Sequence, residues 1–337
     1  MQASFGLAVS RLQPLGTCTI LRICAPEAGS RPRGGLACKP VFLGRAGMSQ
    51  SLQHQVFQAL SRSRAQLERS VQLADGLALA QWRNAHDATQ YNTPGHHTFG
   101  CYLEGGYGTF RRDLPQLKGA PQRLCILPAE HQSAWVVNGE LRFIHLYVSP
   151  QPFALGAVQL LDREPRELQL QERTFIEDPQ QAGRFRQLAL LDWQEPGERL
   201  LCSSLSQAIL DQALLTQVGR RNGLQLKGGL APQTRRRLQE YIEAHLEQPL
   251  GLAELAEQAA LSGYHFARMF TQSFGLPPHR YVLMRRLQRA TELLASSPHE
   301  LGDIALACGF ASASHFSTRF RQHFGATPSQ YRAAQCI

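Results

Sequence analysis

The C-terminal third of this 337-residue chain repeats itself at an interval of fifty residues, and a period of that size marks a duplicated supersecondary unit. Phe266, Phe270, Phe274, Gly275, Pro278 and Tyr281 recur as Phe316, Phe320, Phe324, Gly325, Pro328 and Tyr331, each fifty positions on. Upstream of each block, Leu255, Ala256 and Ala259 recur as Ile304, Ala305 and Cys308, at an offset of 49. The single residue of slack falls where a turn would lie.

Each copy reads as two short helices around that turn. Leu252, Leu255, Ala256 and Ala259 are spaced as one apolar helical face. After the break at Ala260–Gly263, with Ser262 as N-cap, Phe266, Met269, Phe270 and Phe274 form a second face that stops at Gly275. Two such helices, with the small Ala256 where they approach, predict a helix-turn-helix. A helical hairpin that merely docks on another domain is the plain alternative, and the duplication weighs against it. The polar face of the second helix carries Tyr264, His265, Ala267, Arg268 and Gln272 in the first copy. In the second it carries Ser314, His315, Ser317, Thr318, Arg319 and Gln322, with Arg321 beside them. These side chains supply donors and acceptors for base edges in a major groove. No acid interrupts either helix, and the last 27 residues contain three arginines and no Asp or Glu.

Between the copies, Tyr281–Leu294 is expected to be a helix with Leu283, Leu287, Ala290, Leu293 and Leu294 apolar. Arg280, Arg285, Arg286 and Arg289 decorate it, and Arg285 and Arg286 are expected to meet DNA phosphates. A rod of about 16 residues spans roughly 24 Å, enough to hold two recognition helices about one DNA turn apart.

Residues of roughly 233–334 resemble the DNA-binding domain of the AraC/XylS family of bacterial transcription regulators. The strings LAELAEQAALSGYHFARMFTQSFGLPPHRYVLMRRLQRATELL and IALACGFASASHFSTRFRQHFGATPSQYR carry the resemblance. It implies base reading by Tyr264, Ala267 and Arg268 in the first unit and near Ser314, Ser317 and Thr318 in the second. Two departures stand out. The family commonly has arginine where this chain has Thr318, with Arg319 displaced about 100° around the helix. Ala267 can touch a thymine methyl but donates nothing.

Length allows two domains and a linker. The net charge of +9 is uneven: residues 1–47 carry +5 and residues 233–337 carry +3, leaving the middle near neutral, unlike a polyanion or membrane-surface binder. No apolar run approaches the roughly 20 residues that span a bilayer. Eight cysteines without Cys-x-x-Cys spacing argue for a reducing cytosol, with no structural zinc or disulfide framework. Residues 1–47, rich in Gly, Pro and Arg, are expected to be a disordered extension outside the folded protein, with Met48 a candidate first residue.

From about 77 to 180 the period becomes two. Leu77–Trp82, Thr98–Leu103, Arg123–Leu127, Ala134–Val137 and Arg142–Val148 are expected strands, with Asn138-Gly139 as a hairpin turn. The expected fold is α+β: a cupin-like jelly-roll barrel over 48–195, a dimerisation helix and linker over 196–231, and an all-α DNA-binding domain over 232–337. The stretches CILPAEHQSAW and NGELRFIHLYV resemble, diffusely, the sensory barrel of the same family. His96, His97, His131 and His145, with Glu104 and Glu130 nearby, raise the possibility of a metal cupin, but they lack the paired His-x-His. An effector pocket lined by aromatics (Phe99, Tyr102, Trp135, Phe143, Tyr147) and one or two of the histidines is the preferred reading; His97, Tyr102, His131, Trp135 and His145 are its candidate residues. Glu198–Val218 is read as a helix, either plain core or a surface for a second subunit. Arg220 to Gly229 is read as a flexible linker.

These features predict a cytoplasmic, sequence-specific transcription regulator, an activator, without catalytic residues, metal or cofactor. Its expected partners are double-stranded DNA in two successive major grooves, RNA polymerase, a small-molecule effector and a second copy of itself, with no membrane. The alternatives are a metal-dependent cupin enzyme, a repair protein sharing the DNA-binding domain, and a ligand-independent regulator whose barrel only dimerises. No nucleophile elbow, phosphate loop or metalloprotease helix supports an enzyme.

Overall fold

A computed structural model describes residues 52–221 and 227–335, which fall in one compact unit. The expectations for residues 1–47 and for Asn222-Gly223 of the linker lie outside the described residues. Helix α1 (Gln55–Ser61) precedes strands β1 (Gln66–Gln72), β2 (Leu77–Asn92), β3 (His97–Gly105), β4 (Gly108–Arg111), β5 (Arg123–Leu127) and β6 (Gln132–Val148). Helix α2 (Pro150–Leu161), strands β7 (Leu168–Leu170) and β8 (Arg173–Glu177), and helices α3 (Pro179–Leu190) and α4 (Pro196–Thr216) follow, ending in β9 (Val218–Arg220). The main sheet runs β1-β2-β6-β3-β5-β8, with β4 also on β6, and every pairing is antiparallel.

Two expectations need correction here. The ladder does not close: β1 and β8 end the path unpaired with each other among the described residues, so the domain is an open seven-stranded sheet rather than a closed barrel. The Asn138-Gly139 hairpin does not form either; β6 passes straight through it. A two-residue type I′ hairpin needs positive φ at both central residues, and only Gly139 has it (φ +94°). Asn138 stays in the ladder opposite Gly108, and the pair makes a bulge against Ala85–Asp87, where His86 also turns to positive φ. β2 therefore continues ten residues past its expected end at Trp82. Beyond the bulge β6 exchanges β3 for β4 as its neighbour.

The period of two sorts side chains onto the two faces. Leu79, Phe99, Cys101, Ile144 and Leu146 pack on α2, α3 and α4. Ala80, Trp82, Tyr102, Phe143 and Tyr147 face the opposite way, where Val56, Phe57 and Leu60 of α1 cover them. α4 matches its expected span to within two residues, and Cys202, Ile209, Leu210, Ala213 and Leu214 make it a core helix; Leu201 and Leu215 remain exposed.

The C-terminal half is α5 (Pro232–Ala244), α6 (Leu252–Gln258), α7 (Gly263–Phe274), α8 (Pro278–Ser296), α9 (Leu301–Ala307), α10 (Ala313–Phe324) and α11 (Pro328–Gln335). It has two cores. Leu238, Ile242, Leu255, Phe266, Phe270 and Tyr281 fill the first, and Leu287, Leu294, Ile304, Phe316 and Phe320 fill the second. α8 supplies one half of itself to each, so a single rigid helix of about 28 Å joins the units. Leu155 and Val158 of α2 reach into the first core, tying the sheet domain to it. The described end of the linker is not loose: Gly229 N–H meets Met269 Sδ, Leu230 N–H donates to Ser273 Oγ at 2.8 Å, and Arg166 donates to the carbonyls of Lys227 and Gly228.

Candidate functional site

The sequence repeat is also a repeat of contacts. Phe270 stacks on Phe274 at 4.0 Å with Tyr281 edge-on at 5.5 Å; Phe320 meets Phe324 at 4.5 Å with Tyr331 edge-on at 5.5 Å. The turns match too. Leu261 N–H donates to Ala256 O at 3.0 Å, and Phe310 N–H donates to Ala305 O at 2.9 Å. Each turn holds one residue at positive φ, Ala260 (+53°) and Gly309 (+71°). α7 and α10 end at left-handed Gly275 and Gly325. At their N-termini the copies differ: the Ser312 side chain accepts from His315 N–H, whereas Ser262 makes no side-chain cap.

Burial of the Phe stripes aims the other faces outward. Tyr264 (85% exposed), His265 and Arg268 stand out on α7, with Ala267 partly covered. On α10, Ser314, His315, Thr318, Arg319 and Arg321 are exposed and Ser317 is partly covered. Among the described residues Arg319 makes only long contacts, 3.4 Å each, to His315 and Gln322, which leaves its guanidinium available. Neither reading helix carries an acid.

Three of the expected DNA-contact residues are placed elsewhere. Arg285 is tied to Glu243 (2.5 and 2.9 Å) and to Gln288, bracing α8 against α5. Arg286 donates to the carbonyls of Leu246 and Gln248 in the α5–α6 loop. Gln272 is half-buried, with its Oε1 turned into the protein beside Gly228. For the arginines the sequence showed the exposed charge pattern but not the carbonyls and carboxylate waiting across the fold.

A helix-turn-helix domain family model matches residues 255–334. The HTH-type transcriptional activator RhaS of Escherichia coli (strain SE11) is 34% identical over 190 residues, which are 56% of this chain and 67% of RhaS. The chain belongs to the AraC/XylS family of transcriptional regulators. The 190 aligned residues outnumber those from 232 to the end, so the kinship is not confined to the DNA-binding domain. Probable transcriptional regulator LumQ of Photobacterium leiognathi is 39% identical over 95 residues, 28% of this chain; the match spans only 38% of LumQ. A solved transcriptional regulator with an AraC-type DNA-binding domain from Chromobacterium violaceum is 36% identical, covering 31% of this chain and 92% of its own, with a TM-score of 0.29. These relatives are named as regulators of transcription, and the chain is a regulator rather than an enzyme.

In this family member the sheet face under α1 encloses a cavity of about 40 Å³, room for about three waters. Tyr102, Trp135 and His145 of the expected effector set line it, as does Phe143. His97 does not: it shares strand parity with Phe99 and Cys101, and its ring lies 4.6 Å from Phe153 of α2. His131 lies just before β6 with its Nδ1 on Pro128 O, outside the cavity. Phe99 packs on the helical side of the sheet, and Tyr147, on the covered face, is not among the lining residues. Asn84, Thr89, Thr109 and Leu60 line the cavity but escaped sequence reasoning. Asn84 and Thr89 lie on the polar continuation of β2, which has no apolar alternation, and Leu60 arrives from a separate helix. Burial holds the lining His145 neutral, its pKa lowered to about 3, and raises the Tyr91 and Tyr102 hydroxyls above their usual range; Cys125 is pushed up to about 12. Among the described residues no three His, Cys, Asp or Glu side chains converge as metal ligands.

Proposed function

We propose that this protein regulates transcription by setting α7 and α10 into successive major grooves on one side of a DNA duplex, as an activator that engages RNA polymerase. The observation that carries this reading is the duplication of a helix-turn-helix whose two reading helices expose only neutral or basic polar groups, joined by one rigid helix. Tyr264, His265, Ala267 and Arg268, then Ser314, His315, Ser317, Thr318 and Arg319, are the base-facing candidates. Arg321, exposed beside them, is the candidate phosphate contact. Arg285 and Arg286 act instead by bracing the domain. The segments 48–195, 196–231 and 232–337 are assigned to effector sensing, linkage and DNA binding. The sheet cavity takes a small effector, and exposed Leu201 and Leu215 of α4 offer a surface to a second copy.

The test is selection of bound duplexes from a random pool with the full chain. The enriched site should contain two motifs about 10 base pairs apart, centre to centre. A single motif, or no enrichment over input, would refute the two-groove reading.

A further inference from the structure

We propose that the cavity beneath α1 binds a small uncharged molecule carrying a hydroxyl, carbonyl or amide oxygen, anchored by the Thr109 hydroxyl; this rests on the reading of the sheet domain as the effector site. Thr109 is 1% exposed at the middle of β4, and its Oγ1 has no hydrogen-bond partner among the described residues. An unpartnered buried hydroxyl is costly, and a ligand oxygen or amide would relieve it. His145 also lines the cavity, and its Nδ1 contacts the Tyr147 hydroxyl at 3.3 Å. Its Nε2 lies across Gly100, where a Cβ would come within 3.2 Å, so a second ring nitrogen borders the same space.

The exclusion of charge follows from the wall. None of the fourteen lining residues carries a carboxylate, ammonium or guanidinium. Two fixed charges border the wall. One is the Asp87 carboxylate, which accepts from the lining Asn84 Nδ2 at 3.0 Å and from the Arg64 and Ala88 amides. The other is Arg111, two residues from Thr109, with its guanidinium 5.8 Å from the Trp135 ring. The Arg111 charge is already met by Asp113 at 2.6 Å and by Glu172, with Thr174 beside it, as that of Asp87 is by its three donors. His145 stays neutral through burial, so it offers no counter-charge near neutral pH. An ion in this space would lose its hydration without a partner, whereas a neutral oxygen loses little. The volume adds a size limit: beyond a handful of heavy atoms, Leu60 and the α1 cap must shift outward.

The full-length protein would be titrated with propionamide, propionate and propylamine at constant ionic strength, following the melting temperature. Propionamide should raise it saturably and the two ions should not. Thr109→Val keeps the shape of the side chain and breaks no protein hydrogen bond, so the free variant should melt at or above the parent; it should bind propionamide about fivefold more weakly, with Thr109→Ser restoring binding. If propionate or propylamine binds equally and the binding depends on Thr109, the effector pocket stands and the uncharged class is wrong. If no probe binds, or binding ignores Thr109→Val, the pocket reading itself fails and the inference falls with it.

Discussion

Gly309 shows how one residue can carry a turn. Its φ is +71°, and a Cβ there would collide with the Leu246 carbonyl and the Arg286 guanidinium. Gly309→Ala should therefore destabilise the protein by at least about 2 kcal/mol in urea unfolding, combining backbone strain with the clash. Its counterpart Ala260 already holds a side chain at φ +53°, so Ala260→Gly should change stability by under about 1 kcal/mol, in the opposite direction. An equal response at the two positions would contradict the geometry of the turns. The arginines divide in a similar way. Arg268→Ala should relax discrimination between DNA sequences by roughly 1–3 kcal/mol, since it stands free on the reading face. Arg285→Ala should leave that discrimination intact and cost up to about 1 kcal/mol of stability, the Glu243 partner being partly solvated. Binding titrations against the selected site and single-base variants separate the two. Unchanged specificity in Arg268→Ala would mean that α7 reads through other residues.

At the scale of elements, α2 is a wall shared by both halves. One side of it packs Phe153 and Ala157 on the sheet, and the other sends Leu155 and Val158 into the first helical core. Gly275, the C-cap of α7, comes so close that a Cβ would lie 2.6 Å from that of Ala154. Asp162, just past α2, pairs with Arg235 at 3.2 Å and with Arg236 of α5. Leu155→Ala should cost about 2–4 kcal/mol and, by removing a side chain that spans the two halves, split a single calorimetric transition into two. A destabilised variant that still melts in one transition would show that α2 is not the coupling element. α8 was readable as a connecting helix because its apolar spacing persists through both cores. The attachment of its first half to α5 was not, since the Glu243–Arg285 tie joins residues 42 positions apart.

For the whole molecule, the buried histidines make acid the weak point. Burial lowers the pKa of His96 and His145 to about 3 and of His97 to about 4; His54 and His131 also lie below the usual value, again through burial. A depressed folded-state histidine favours the neutral form, so its stabilisation is intact above about pH 6.5 and is lost as pH falls below it. Between pH 6 and 4 the unfolded chain holds between two and three more protons than the folded one at His96, His97 and His145, a slope of roughly 3–4 kcal/mol per pH unit. Circular dichroism should show cooperative unfolding inside that window, and a flat melting temperature from pH 6.5 to 4.5 would contradict the burial. DNA binding should fall steeply with added salt as counterions are released from neutralised phosphates.

The reading helices, their turns and caps, and the family were legible in the chain because each depends on neighbours within about four residues, and the fifty-residue echo stated the pattern twice. Strand parity is equally local: His97 alternates with Phe99, Cys101 and Leu103 against Gly100 and Tyr102, so the expectation that grouped His97 and Phe99 with Tyr102 in one pocket ran against it. What the chain alone left open were matters of long-range pairing. Whether Asn138-Gly139 turns or passes through depends on β2 and β4 lying on either side of β6. Whether Arg285 and Arg286 meet phosphate or protein depends on α5 and its loop folding across α8. The cavity needs α1, β2, β4 and β6 together, and its Thr109 hydroxyl is orphaned because burial withdrew it from water while packing among the described residues brought no partner. Local periodicity decides which way a side chain points; only the assembled fold decides what it meets there.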